Sequence, residues 1–305
     1  MKSNKNVVAA VSAQSDSDWQ TIFVGQFLMG YSSNTHKAIQ QDLSVFLDWF
    51  LAENGEEFTP EKLTNWDMHA FRRYQVDVCR VAAATWNRRM STMRKLAEFC
   101  QKGGFVSVDV FDGIQAMDQQ DNQPRWMDNL DFARLMRQVE RNVNAARSPM
   151  QRMNALRDQA MVGLMAYAGL REFEVVDLHR GDVVIRERSG YALIHAGKGE
   201  KERMVPLGKE ARRLVNPWLQ EAMGGQLFSI SERWIQKRIK ALGQQAGCLE
   251  DITPHRLRHS FGKRMVDKGV SIEKVAMLLG HSSIETTKIY VRPGFQDLAD
   301  AVEMV

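Results

Sequence analysis

The hydrophobic residues in the first third of the chain recur at helical spacing. Trp19, Ile22, Phe23, Phe27 and Leu28 follow one another at short helical intervals, which predicts an amphipathic helix. The same period predicts three further helices, from about residue 34 to residue 55, from 64 to about 80, and from 83 to 103. The first part of the chain is therefore expected to be wholly helical.

After about residue 125 the pattern changes twice. Two helices are predicted first, one near 129–142 and a longer one that ends at 169. The apolar residues then recur every second position in three short segments, 183–185, 191–195 and 203–206, which predicts strands. The rest predicts helices near 209–222 (interrupted at Pro217), 232–246, 254–268, 272–279, 283–290 and 295–302. The expected fold is mainly α-helical with a small three-stranded antiparallel sheet.

A polar stretch from Asp118 to Pro124 separates the two halves and is typical of a linker. The pattern predicts a flexible N-terminus at 1–16, a helical domain at 17–115, a linker at 116–127, a second domain at 128–294 and a C-terminal helix at 295–305.

The composition of the chain indicates its number of domains, its kind of partner and its cellular compartment. The 305 residues are enough for two domains, and the net charge of +4 suits a nucleic-acid partner without requiring one. The three cysteines are far apart and form no CxxC or Cys/His cluster, so neither a disulfide framework nor a metal site is expected. We expect a cytoplasmic protein with no membrane span and no cofactor.

The helix that begins at residue 83 has two distinct faces. Trp86, Met90 and Met93 form part of an apolar stripe, and polar residues are predicted to point away from it. Long cations, amides and hydroxyls on one helix face are what contact with DNA phosphates and base edges requires. The alternative is an ordinary solvated face. The residues predicted to contact DNA are Asn87, Arg88, Ser91, Thr92 and Lys95.

Four places in the second half carry residues suited to phosphate chemistry. They are Arg171 after a helix-ending glycine, Lys198 in a glycine-flanked turn, His255 and Arg258 at a helix start, and His281 with Tyr290. Each alone has an ordinary interpretation as an ion pair, a turn or a packed side chain. Together they fit phosphoryl transfer without metal, in which arginines neutralise charge, tyrosine is the nucleophile and lysine protonates the leaving oxygen.

These segments also carry a resemblance. Four segments match, in order and spacing, the four boxes of the tyrosine site-specific recombinases, or phage integrase family: Gly169 through Glu174, Gly197-Lys198-Gly199 through Leu207, His255-Arg256-Leu257-Arg258-His259, and Leu279-Gly280-His281 through Tyr290. The second half therefore resembles the family's catalytic domain. Through Thr85-Trp86-Asn87-Arg88-Arg89 and the basic helix, the first half is similar to its helical, SAM-like core-binding domain.

The resemblance implies a role for each residue. Tyr290 would attack a DNA phosphodiester and form a 3′-phosphotyrosine, and Arg171 and Arg258 would clamp the phosphate. The same comparison gives three further roles: proton movement at the nucleophile for His255, a hydrogen bond to the phosphate for His281, and the general acid for Lys198. His259 matches a commonly packed position, and the resemblance does not imply a catalytic role for it.

The resemblance also implies partners. These are double-stranded DNA and three further protomers in a homotetramer on paired sites, with or without accessory DNA-bending proteins. The last helix, with Leu298 and Val302, would dock on a neighbouring protomer. About 16 residues before the first helix are too few for an arm-binding domain, which favours a simple two-domain Xer-like or Cre-like type. The expected task is integration, excision or resolution of mobile elements or replicon dimers; a type IB topoisomerase and an inert DNA-binding protein are the alternatives.

Overall fold

A computed structural model shows how these segments are arranged. It describes residues 19–31, 33–118, 126–195, 202–281, 283–291 and 302. The chain divides into two compact units, Met1–Asn122 and Gln123–Val305. Three predicted segments lie outside the described residues: the N-terminus at 1–16, most of the linker at 119–125 and, apart from Val302, the C-terminal helix at 295–305.

The regular elements in the described part of the first unit are all helices, joined by turns and loops. Its elements are α1 (Trp19–Ile22, continuing as a π turn at Phe23–Phe27), α2 (Ser33–Asn54), α3 (Asn65–Arg73, followed by a π turn at Tyr74–Val78) and α4 (Ala83–Lys102). Thr64 caps α3 because its hydroxyl accepts a hydrogen bond from the Asp67 amide, and the Asp67 carboxylate accepts one from the Thr64 amide. The helices predicted from the hydrophobic period are confirmed.

Aromatic rings fill the centre of this unit. Phe46 makes edge-on contacts with Phe58 and Phe71, each with ring centroids 5.2 Å apart. The apolar stripe of α4 faces the same core, as its spacing predicts, and its buried members are Trp86, Met90, Met93, Ala97 and Cys100.

The polar face of α4 differs from its prediction at Thr92. This residue is only 3 % exposed, and its hydroxyl donates to the Asp42 carboxylate at 3.1 Å. Arg88 donates to the same carboxylate at 2.6 Å. The prediction that Thr92 lies on an exposed, DNA-reading face is therefore wrong, because position 92 borders the buried stripe and α2 supplies a buried anion there.

The other predicted members of that face divide into two groups. The side-chain amide of Asn87 is bonded in both directions to the backbone of Met117, at 2.9 and 2.8 Å. Ser91 is exposed, and Lys95 beside it donates to its hydroxyl at 3.2 Å. Outward groups available to a partner are therefore those of Ser91, Lys95 and the exposed part of Arg88.

The second unit combines helices with one small sheet. Its helices are α5 (Asn129–Asn144), α6 (Pro149–Ala168), α7 (Glu172–Asp177), α8 (Lys209–Glu221), α9 (Glu232–Gln245), α10 (Pro254–Asp267) and α11 (Ile272–Leu279). Its strands are β1 (Val183–Ile185), β2 (Gly190–Ile194) and β3 (Arg203–Pro206). Among the described residues no helix is long and apolar enough to cross a membrane.

The sheet has the predicted antiparallel order β1-β2-β3. Val184 pairs with Tyr191, and Leu193 pairs with Met204. Ala192 and Val205 are buried where they face one another, which seals the sheet against the helices. The mainly helical fold with one three-stranded sheet is confirmed.

Two local predictions in this unit are wrong. Helix α8 runs without a break through Pro217, because its buried face, which includes Trp218, packs strongly enough to offset the roughly 3 kcal/mol cost of an interior proline. The segment predicted as one helix over 283–290 forms two short 3₁₀ turns, Ile284–Thr286 and Lys288–Tyr290. The Ser283 hydroxyl accepts the capping hydrogen bond there, from the Glu285 amide at 3.2 Å.

Candidate active site

The end of α6 fixes the position of Arg171. Gly169 ends this helix in the left-handed region, with φ of +69°. A β-carbon at this position would lie 2.5 Å from the Phe261 ring and 2.9 Å from Leu279. Only glycine allows α6 to end this close to α10 and α11, and Arg171 therefore emerges where those helices meet.

Arg171 is held by a buried carboxylate. Glu174 is 3 % exposed and accepts hydrogen bonds from the Arg171 amide at 2.8 Å and its guanidinium at 3.0 Å. Arg203, on β3, donates to the same carboxylate at 2.8 Å. Burial alone would raise the pKa of Glu174, but Arg203 and Arg171 outweigh it and lower this pKa. Glu174 is therefore an anion that orients both arginines.

Helix α10 supplies the histidines and the second arginine. Thr253 caps it, accepting from the Arg256 amide at 3.2 Å, and Pro254 occupies its first turn. The rings of His255 and His259 contact edge to face, with centroids 4.2 Å apart. Spacing of one helical turn therefore places both imidazoles together.

Arg258 is almost fully buried and joins two helix ends. Its guanidinium donates to the carbonyl of Gly169 at 2.6 Å and to that of Leu279 at 2.5 Å. Burial lowers the pKa of Arg258 to about 10, and the nearby Arg171 acts in the same direction. The side chain is still a cation at neutral pH.

Helix α11 ends within reach of both arginines. Gly280 ends it in the left-handed region, with φ of +62°, and its carbonyl accepts from Arg171 at 2.8 Å. Because Arg258 already holds the Leu279 carbonyl, two guanidinium groups surround the turn that leads to His281. The cations and the last histidine therefore occupy one corner of the unit.

Tyr290 reaches the same corner from the last described turn. It is 1 % exposed, and its hydroxyl lies 2.8 Å from Nδ1 of His259. The His281 ring is stacked on it, with centroids 6.4 Å apart. A β-carbon at Gly262 would lie 2.7 Å from the tyrosine ring. We call the space formed by His259, Gly262 and His281 the tyrosine pocket.

The groups in the tyrosine pocket are neutral at pH 7. Burial raises the pKa of Tyr290 to about 12, although Arg258 and Arg171 oppose this. Burial also lowers the pKa of His281 to about 4, and Arg258 and Arg171 lower it further. Nδ1 of His281 lies 2.7 Å from the hydroxyl of Thr287, which is fully buried and fixes the imidazole.

The comparisons with known proteins agree with this arrangement. Residues 127–297 match the Phage integrase family. The chain is 30% identical to the tyrosine recombinase XerD of Lacticaseibacillus casei over 283 residues, which cover 88% of this chain and 91% of the relative. The chain belongs to the phage integrase family. It is a tyrosine site-specific recombinase, an enzyme that cleaves and rejoins DNA through a tyrosine.

This recombinase is also similar to a further relative and to solved structures of recombinases. It is 35% identical to the tyrosine recombinase XerC of Vibrio vulnificus over 227 residues, covering 70% of this chain and 68% of the relative. The structure of the XerH recombinase bound to a palindromic difH substrate has a TM-score of 0.72 at 18% identity, covering 97% of this chain and 92% of that one. The structure of a lambda integrase dimer bound to a core site has a TM-score of 0.66 at 15% identity, covering 90% of this chain and 93% of that one.

The recombinase fold gathers most of the predicted site residues. Arg171, His255, Arg258, His281 and Tyr290 converge in the second unit, while Lys198 lies outside the described residues. A cavity of about 600 Å³ opens beside them and is lined by residues that include Arg171, His255 and Arg258. Within the described ranges no cluster of His, Cys, Asp and Glu could hold a metal ion.

The sequence did not point to three further residues of this recombinase site. Arg203 and Thr287 were not predicted as site residues, and they hold Glu174 and His281 in place. His259 was expected only to pack, yet it contacts the tyrosine hydroxyl. A polar residue one turn after a predicted catalytic histidine was the available signal for His259. The partners of Arg203 and Thr287 depend on tertiary contacts that no local pattern encodes.

The histidine pKa values predict how the recombinase responds to acid. His281 titrates near 6.5 when unfolded and at about 4 when folded, so the unfolded chain binds more protons between those values. Stability is then lost as pH falls from 6.5 to 4, by up to about 1.4 kcal/mol per pH unit for each proton taken up. Urea unfolding of the full chain at several pH values measures this slope.

His281→Asn is the matched variant for that measurement. The asparagine can keep a hydrogen bond to Thr287 but cannot be protonated in this range. We expect a shallower loss of unfolding free energy between pH 6.5 and 4 than in the wild type. Identical slopes for the two proteins would contradict the lowered pKa.

Proposed function

We propose that Tyr290 is the nucleophile of this recombinase and that Arg171 and Arg258 clamp the scissile phosphate. The observation that carries the proposal is the meeting of Tyr290 with α10 and with both arginines in one corner of the unit. Buried cations beside a phenol supply the positive charge that phosphoryl transfer at an aryl oxygen requires. His255 and His281 border the same site.

The proposed step conserves bonds. The Tyr290 oxygen attacks phosphorus, a bond forms between them, and the bond from phosphorus to the 5′ oxygen breaks. The phenol proton passes to the imidazole of His255, whose pKa burial and Arg258 lower, and Lys198 protonates the departing 5′ oxygen. His281 donates a hydrogen bond to a phosphate oxygen. The 5′-hydroxyl of the partner strand then displaces Tyr290 without ATP, because the phosphotyrosine retains the bond energy.

The substrate proposed for this enzyme is a pair of short duplex sites held by a homotetramer. The XerH structure contains a palindromic difH substrate, which supports inverted half-sites for this chain as well. Paired sites need two protomers each, since each protomer supplies one tyrosine for one strand. We also propose that the C-terminal segment at 295–305 joins neighbouring protomers and that accessory DNA-bending proteins act where the site requires them.

Ser91, Lys95 and Arg88 are the proposed DNA-contacting residues of α4. Lys95→Ala should lower DNA affinity and reduce the slope of log affinity against log salt by about 0.9, the value for one phosphate contact. Thr92→Val, three residues away, is the control. It should leave that slope unchanged but destabilise the fold by about 1.5–3 kcal/mol, because a hydrogen bond to a buried carboxylate is lost. Fluorescence anisotropy over a salt series separates the two.

An assay with selected DNA tests the function as a whole. Sites bound by the full chain are selected from a random pool and placed in pairs on one supercoiled plasmid. We expect products in which the DNA between the sites is excised or inverted. Relaxation of plasmids with no selected site, without exchange, would instead indicate topoisomerase activity. Binding with neither product would indicate an inert binding protein; the relatives described above support neither alternative.

A further inference from the structure

The hydrogen bond at the tyrosine hydroxyl assigns a role to a residue that the proposed mechanism leaves unused. Tyr290 is buried, and the polar partner recorded for its hydroxyl is Nδ1 of His259 at 2.8 Å. We propose that His259 is a positioning residue for the nucleophile. It holds the Tyr290 hydroxyl through a hydrogen bond that the hydroxyl donates to Nδ1. This inference rests on the proposed function of Tyr290.

The direction of this hydrogen bond follows from the surroundings of the pair. Burial lowers the pKa of His259 to about 4, and His255, Arg258 and His281 lower it further. Burial raises the pKa of Tyr290 to about 12. At neutral pH the imidazole is therefore uncharged and the phenol keeps its proton, so the phenol donates to Nδ1 in the tautomer that carries the imidazole proton on Nε2. His259 thus holds a protonated nucleophile and does not remove its proton in this state.

The backbone of α10 is shaped to receive the tyrosine at two points. Position 259 meets the hydroxyl, and position 262, three residues later on the same face, has no side chain where the ring lies. A β-carbon there would lie 2.7 Å from two ring carbons. The helix therefore provides both a polar contact and the space for a phenol ring. A side chain at position 259 that only filled space would need no hydrogen-bond acceptor. It would also not need to lie on the same helix face as Gly262.

A positioning role and a merely structural role predict different results. If His259 only packs, its loss lowers stability and leaves the chemistry of the folded enzyme unchanged. If it positions the nucleophile, the rate of cleavage at saturating DNA falls while DNA affinity stays constant, because the phenol oxygen loses its alignment. A substitute that restores an acceptor near the position of Nδ1 should also restore the rate.

His259→Phe and His259→Asn test this directly in the full chain. Phenylalanine keeps a ring without an acceptor, and the asparagine side-chain oxygen lies close to where Nδ1 was. Covalent adduct formation is timed at saturating nicked duplex carrying a selected site. We expect His259→Phe to cleave about 10–100-fold more slowly, as for a misplaced reacting group, and His259→Asn to regain most of the loss. DNA affinity, measured by anisotropy, should be equal in all three proteins.

Three outcomes would overturn the proposal: His259→Phe cleaving as fast as wild type or faster, the two variants behaving alike, or a loss of affinity equal to the loss of rate. The hydrogen bond itself is checked independently of cleavage by ¹⁵N NMR of the histidines, in which the Nδ1 resonance of His259 should move in Tyr290→Phe. No movement also counts against the hydrogen bond. If Tyr290→Phe itself still forms the adduct, the proposed function fails; if only His259→Phe is normal, the inference about His259 fails alone.

Discussion

Tyr290→Phe should form no covalent complex with DNA. Phenylalanine keeps the ring that fills the tyrosine pocket but has no oxygen to bond to phosphorus, so cleavage should fall by at least about 10⁴-fold, as for other lost nucleophiles. The measurement is an SDS gel of protein incubated with radiolabelled duplex nicked near the cleaved bond. The nick lets the short 5′-hydroxyl fragment leave and so traps the adduct.

The control for this variant is its DNA binding. The hydroxyl is buried on His259, so its removal should not change affinity for a selected site by more than a small factor. Adduct formation by Tyr290→Phe at the wild-type rate would show that another residue attacks the phosphate, and the whole assignment around Tyr290 would then be abandoned.

Arg258→Lys should lower cleavage by about 10²–10³-fold, the loss expected when one donor to the transition state is removed. Lysine keeps the charge but not the planar pair of donors that reaches the carbonyls of Gly169 and Leu279. The same pair of donors is suited to two phosphate oxygens. Single-turnover cleavage at saturating DNA measures the loss, and anisotropy shows whether binding survives.

Arg264→Lys is the matched control, because Arg264 is another cationic residue of α10 whose pKa burial lowers to about 10. It stacks on Phe132, with its guanidinium carbon 3.7 Å from the ring centroid, and has no place in the proposed mechanism. We expect Arg264→Lys to lose stability and keep its cleavage rate once folded. Equal loss of cleavage in both variants would make the effect of Arg258 one of folding alone.

Much of this fold could be predicted from the sequence, because helices and strands of this length are marked by local periodicity and capping. The helix starts predicted near residues 64 and 254 are confirmed by the caps at Thr64 and Thr253. The helix through Pro217 could not be predicted, because its stability comes from packing between elements. Local rules therefore succeed where a residue's partner lies within about one turn.

The site shows the same division. The four boxes predicted which side chains converge, since their residue types and order are specific. The burial of Thr92 could not be predicted, because its partner Asp42 is on another helix. Nor could the contact between His259 and Tyr290, which joins residues of different elements. Those hydrogen bonds depend on how helices pack, and neither end carries a sequence signal of its own.

Gly262 affects the stability of α10 as well as its contact with Tyr290. Glycine inside a helix costs about 0.5–1 kcal/mol relative to alanine, so α10 would be more stable with alanine at this position. That single methyl group would occupy the space of the tyrosine ring. Position 262 therefore lowers the stability of α10 and, by the same absence of a side chain, leaves room for the nucleophile's ring beside His259.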